Sequence, residues 1–124
     1  MFVPTIVFDF DGVIHSYKTP WIAPDVIPDP PVPGIGWVME DLLERGYRVV
    51  IVSARSATKK GRVAIRKWLE KYRLPVVEVV AEKPAALVYV DDRAICFDGD
   101  CDILCEKIIN FVPWYKKEEA RENH

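Results

Sequence analysis

The sequence predicts an α/β protein in three layers, helices on both faces of a central, mainly parallel sheet of about five strands. Three observations lead there. Short apolar runs rich in β-branched residues alternate along the chain with segments whose apolar residues recur at helical spacing. The strand-like runs are almost continuously apolar instead of alternating, as befits strands buried on both faces. At 124 residues the chain is long enough to bury one core and too short for two ordinary domains.

The elements follow in order. Ile6 to Phe10 is the first strand, a nearly unbroken apolar run. From Val13 to Pro33 six prolines (Pro20, Pro24, Pro28, Pro30, Pro31 and Pro33) forbid a regular helix, so residues 13–33 form a long stiffened loop. Ile35, Val38, Met39, Leu42 and Leu43 then recur at helical spacing, predicting a helix from Ile35 to Arg45 that Gly46 stops with a left-handed cap. Arg48 to Ser53, "RVVIVS", is a second buried strand. Ile65, Trp68, Leu69 and Tyr72 form the apolar stripe of a second helix. Strands follow over Val76–Val80, Leu87–Val90 and, briefly, Ile95–Phe97, and a last helix over Asp102–Val112 ends at Pro113. Residues 1–115 are expected to form the single domain and 116–124 a charged, flexible tail.

Composition narrows the setting. A formal net charge of -2, with 29% of residues charged, gives no global attraction to nucleic acid or anionic membrane. Cys96, Cys101 and Cys105 are an odd number without C-x-x-C spacing, so they are expected to pack as small hydrophobes in a protein of the reducing cytoplasm. No apolar stretch is long enough to span a bilayer. Oligomeric state is not legible.

Ligands of open α/β sheets bind beyond the carboxyl ends of the strands, and the chemistry-bearing residues gather there. The first strand runs into Asp9 and Asp11, the second into Ser53 and the fourth into Asp91 and Asp92, with Lys83 just before the fourth. Two residues apart on an extended chain, Asp9 and Asp11 are expected to leave the sheet on the same side, where two like charges ask for a cation, a shared proton or both. Clustered carboxylates suit a hard divalent ion, most simply Mg²⁺. One carboxylate can attack phosphorus while the other serves as general acid and base, with a hydroxyl and an ammonium offsetting charge on the phosphoryl group.

In this order "FDFDGVIH", "VVIVSAR", Lys83 before Pro84 and "YVDDRA" resemble the four motifs of the haloacid dehalogenase superfamily, in its phosphohydrolase branch. The resemblance spans residues 5–98 and implies a Rossmann-like domain and a Mg²⁺-dependent phosphomonoester hydrolase working through an aspartyl-phosphate. It implies Asp9 as nucleophile, Asp11 as general acid/base, Ser53 as phosphate ligand and Lys83 as the positive group. Asp91 and Asp92 would hold the metal with Asp9 and the backbone carbonyl of Asp11. Halogen-removing members lack a second Asp where Asp11 stands. Only short segments occupy the places of cap insertions, so the chain resembles a capless member.

The elements Ser53-Ala54-Arg55 and Asp91-Asp92-Arg93 also resemble those of the phosphatase domain of polynucleotide kinase-phosphatases and of small phage and bacterial proteins of that branch. That likeness implies a nucleotide or a 3′-phosphorylated polynucleotide as substrate; a small phosphometabolite and a non-catalytic phosphate-binding role are the alternatives. A receiver-type phosphoacceptor module is a weaker match, since its adjacent acid pair comes first and its Lys last. Lys59, Lys60 and Arg62 stand near a helix start, where cations oppose the helix dipole, and with Arg55 they are candidates for a second phosphate or a nucleic-acid backbone. Tyr17 and Trp21 are expected chiefly to pin the proline-rich loop, and His15 to be a loop residue.

Overall fold

The computed structural model describes residues 3–117, so the tail from 118 to 124 lies outside the described residues. Strands β1 (Thr5–Phe8), β2 (Arg48–Val52), β3 (Glu78–Val80) and β4 (Val88–Val90) form one sheet in the order β3-β2-β1-β4. Every pairing is parallel, with Phe8 level with Ile51 on one side and with Val90 on the other, and Val52 level with Val80. Helix α1 (Ile35–Glu44) joins β1 to β2, and α2 (Lys59–Lys71) joins β2 to β3. The chain thus steps outward from β1 to β3 and then returns to place β4 on the opposite side of β1.

Two compact units result, one through Asp91 and one from Asp92 onward. In the first, alternate residues of the strands (Ile6 and Phe8, Val49 and Ile51, Val79) share one buried cluster with Met39 of α1 and with Ile65, Trp68 and Leu69 of α2. Both helices therefore serve the same face of the sheet. Between β3 and β4 the described residues form no helix, so no second helical layer is seen within residues 3–91. Gly46 ends α1 as expected: its φ of 88° is open to glycine at no steric cost, and the Tyr47 N–H returns to the Leu42 carbonyl.

In the second unit the expected fifth strand is absent. Ile95–Phe97 makes no ladder, and Phe97 is 55% exposed. A strand of three residues has too few backbone bonds to persist without a paired neighbour and a buried face. The expected helix over Asp102–Val112 shortens to α3 (Leu104–Ile109), which buries no residue. All three cysteines are free and exposed, contrary to their expected packing, because the elements around them provide no core to receive them. Arg93 donates to the Tyr115 hydroxyl, at 3.1 Å from Nη2, and the Tyr115 phenol is raised in pKa, chiefly by burial. No helix among the described residues is long and apolar enough to cross a membrane.

Candidate active site

β1 and β4 are neighbours reached by connections running in opposite directions, and the gap beyond their carboxyl ends is the switch point at which open α/β sheets bind ligands. Asp9 follows β1 there and Asp91 follows β4. The Asp9 N–H donates to the Val90 carbonyl at 2.9 Å, extending the ladder one residue past the strands and fixing where Asp9 leaves the backbone. The Asp9 Oδ1 accepts the Phe10 N–H at 2.8 Å. A pocket of about 260 Å³ opens beside them, lined by Asp9, Ser53, Lys83, Tyr89 and Asp91 among its polar and aromatic residues, with Ala54 also on its wall. Three residues picked out by strand ends in the sequence, Asp9, Ser53 and Asp91, are therefore brought together with Lys83.

Ser53 owes its position to a tight turn. It caps the single 3-10 turn Ala54–Ala57: its Oγ accepts the Arg55 N–H at 2.9 Å, while the Ser56 Oγ accepts the Ser53 N–H at 2.8 Å. Because Ser53 Oγ accepts here, its own hydrogen can be donated to an anion in the pocket. Lys83 is held over the Tyr89 ring, with Nζ 4.4 Å from the centroid, and the Tyr89 hydroxyl donates to the Pro84 carbonyl.

Asp9, Asp91 and Asp92 each offer a carboxylate oxygen, and the three atoms lie within 4.8 Å of one another. This acidic triad can bind a metal ion. An all-oxygen donor set fits a hard divalent cation, and a cation removes the mutual repulsion of the three carboxylates. Asp92 is partly buried, its side chain 3% exposed, with the Arg93 Nε at 3.9 Å.

Asp11 departs from expectation. It neither lines the pocket nor joins the triad, because β1 ends at Phe8 and the chain folds at once into a turn in which Val13, Ile14 and His15 all donate to the Phe10 carbonyl. Strand alternation therefore does not carry through to Asp11. Its carboxylate is instead grasped by Arg55, whose Nε lies 3.0 Å from both oxygens, and by the His15 Nδ1, 2.8 Å from Oδ1.

Arg55 is buried. Expected to face a second phosphate, it is 1% exposed. Its Nη1 donates to the carbonyls of Ala23, Pro24 and Val26, and its guanidinium stacks on Trp21 at 4.5 Å. It fastens the proline-rich loop to Asp11, and Trp21 pins that loop as expected. In the rest of the basic cluster, Lys60 lies 3.2 Å from the Asp25 carboxylate and the Arg62 Nη1 donates to the Ser56 carbonyl. Thr58 caps α2 by accepting the Gly61 N–H, so the helix start carries local compensation of its own. Lys59 is exposed.

His15 is a loop residue, as expected, but not an exposed one. It is wholly buried, and its Nε2 accepts the Asp29 N–H at 3.1 Å. The Asp29 carboxyl is held below its ordinary pKa. Burial acts to raise it, but hydrogen bonds from the Thr19 N–H and hydroxyl, the nearby His15 and the Lys18 N–H together outweigh burial. A polar residue inside "VIHSY" is the one sequence signal that pointed this way.

No family model matches this chain, and no curated protein matches it. Among solved structures it is similar to a chain of a Pnkp1/Rnl/Hen1 complex, with a TM-score of 0.49 and 18% identity over 90% of this chain. The match spans 36% of that chain, so the present sequence corresponds to about a third of its length.

Proposed function

We propose that this chain is a Mg²⁺-dependent phosphomonoester hydrolase of the haloacid dehalogenase type, built on a capless domain around a four-stranded parallel sheet. The observation that supports this best is the convergence of Asp9, Ser53, Lys83 and Asp91 on one pocket at the switch point of the sheet. Asp9 is the nucleophile: its carboxylate attacks phosphorus, the bond to the leaving oxygen breaks, and the phosphoryl group passes to Asp9. Ser53 and Lys83 hold the non-bridging oxygens and offset their charge. Asp11, which stands outside the pocket lining and is held by Arg55 and His15, is given by the family resemblance the role of donating a proton to the leaving oxygen. It then takes one from the water that attacks the aspartyl-phosphate, which frees inorganic phosphate and restores Asp9. Mg²⁺ held by Asp9, Asp91, Asp92 and the Asp11 backbone carbonyl would supply positive charge opposite the phosphoryl oxygens.

With Arg55 buried, Lys60 paired and Arg62 turned to Ser56, little of the basic cluster is left for a polynucleotide backbone. A nucleotide or another small phosphomonoester is therefore the favoured substrate. Three free, exposed thiols suit the reducing cytoplasm proposed as its location.

The test is phosphate release from an aryl phosphate, nucleotides, sugar phosphates and 3′-phosphorylated oligonucleotides. Activity should disappear with chelator and return with Mg²⁺. Asp9→Asn should form no phosphoenzyme, while Asp11→Asn should still form some from the aryl phosphate. Full turnover in excess chelator, or in Asp9→Asn, would overturn the reading.

A further inference from the structure

We propose that Tyr89 is a positioning residue for Lys83, holding the ammonium at the pocket with its ring and the adjoining backbone with its hydroxyl; the inference rests on the phosphatase reading above. The need for such a residue comes from the connection that carries Lys83. Residues 81–87 pass from β3 to β4 as irregular chain, and Ala81, Glu82 and Lys83 are all exposed. A lysine on such a segment has a flexible stem and no packing to choose among its rotamers, so its charge is spread over many places.

Tyr89 supplies what the loop lacks. It is the middle residue of β4, paired in parallel register with Val7 of β1, so the ladder fixes its backbone. Side chains two apart on a strand leave the same face, and Tyr89 and Asp91 accordingly line one pocket, as Val7 and Asp9 do from the neighbouring strand. From that face Tyr89 grips the loop twice. Its hydroxyl donates to the Pro84 carbonyl at 2.7 Å, tying down the residue that follows Lys83. Its ring faces the ammonium, with Nζ 4.4 Å from the centroid. The far end of the loop is closed separately, the Leu87 N–H donating to the Thr5 carbonyl at 2.9 Å.

The chemistry of the grip matters as much as its place. A carboxylate would hold Lys83 by cancelling its charge, whereas an aromatic ring attracts a cation through its quadrupole and carries no net charge. Lys83 is therefore fixed at the pocket while still positive, and its ammonium keeps hydrogens to donate to the non-bridging oxygens of a phosphoryl group.

The experiment compares Tyr89→Phe, which keeps the ring and loses the hydroxyl, with Tyr89→Leu, which loses both, and repeats Tyr89→Leu in a Lys83→Met background. Tyr89 is 44% exposed, so truncation leaves no core cavity, and thermal melts check that each variant folds. The worth of a cation–π contact converts to about two- to thirtyfold, so Tyr89→Leu should lower kcat/KM on an aryl phosphate by about that factor. Tyr89→Phe should fall between Tyr89→Leu and the wild type, and equality with either overturns the two-point grip. In the Lys83→Met background Tyr89→Leu should cost nothing further, because the group it positions is gone. An equal loss in both backgrounds marks a merely structural tyrosine and overturns the proposal.

The ¹H shift of the Lys83 ε-methylene provides a readout independent of turnover. Protons over an aromatic face are shifted upfield, so an upfield signal is expected in the wild type and in Tyr89→Phe, returning to the ordinary lysine position in Tyr89→Leu. An ordinary position in the wild type overturns the proposal whatever the activity. A wild-type protein silent on every phosphomonoester sinks the phosphatase reading and the positioning role with it. An active wild type in which the Tyr89 and Lys83 effects simply add sinks this inference alone.

Discussion

Replacing Gly61 with alanine sets two effects of opposite sign against each other. Gly61 lies in the first turn of α2, where helix propensity favours alanine by about 1 kcal/mol. Against this, a Cβ at Gly61 would stand 1.7 Å from the Arg55 carbonyl oxygen, 2.7 Å from its carbon and 3.1 Å from Thr58 Oγ1. The obstacle is backbone and cannot swing aside as a side chain would. Restoring ordinary contact requires an opening of about 1.5 Å between α2 and the Ala54–Ala57 turn. Overpacking of this kind costs about 1–3 kcal/mol and reaches the top of that range when only backbone can yield. The close approach wins, and the net loss should be about 2 kcal/mol. For a chain of this size that is a fall in Tm of about 6–10 °C. Calorimetry of Gly61→Ala beside the wild type measures it. Because the displaced carbonyl belongs to Arg55, activity should fall further than the lost stability explains. A Tm at or above the wild-type value would refute the reasoning, since propensity would then have prevailed over the contact.

Two further substitutions probe the proline-rich loop. The Asp29 carboxyl has its pKa depressed in the folded state, so its stabilisation is complete above the unfolded value, about pH 4, and is lost as pH falls through the lower folded one. The stability gap between wild type and Asp29→Asn, from urea melts, should therefore be full at neutral pH and shrink on acidification below about pH 4; a gap that widens there contradicts the assignment. Ser16 is buried, and its Oγ has no hydrogen-bond partner among the described residues, so Ser16→Ala should stabilise the protein by about 1 kcal/mol. A clear loss of stability in that variant would reveal a partner for the hydroxyl.

What the sequence determined by itself is local. β1, β2, α1 and α2 were legible because period, β-branching and a glycine stop act within a few residues, as the match of Gly46 to a φ of 88° illustrates. The gathering of Asp9, Ser53 and Asp91 was legible for a related reason: parallel strands place their carboxyl ends along one edge, so a residue's place at a strand end is enough to locate it. Ile95–Phe97 marks the limit, since a run that short becomes a strand only if a partner edge and a buried face are supplied from elsewhere. The surroundings of Asp11 lie wholly beyond local reading. Its partner Arg55 is 44 residues away in sequence, and the burial of Arg55 depends on three carbonyls of a loop that prolines stiffen but do not aim. The Nε2 of His15 meets the N–H of Asp29, fourteen residues on, where Ser16 pairs with Pro30 and Val32 with Ile14. A charged side chain reads as surface in a sequence because burying it alone is prohibitively costly, and only the tertiary structure supplies the acceptors that lower that cost.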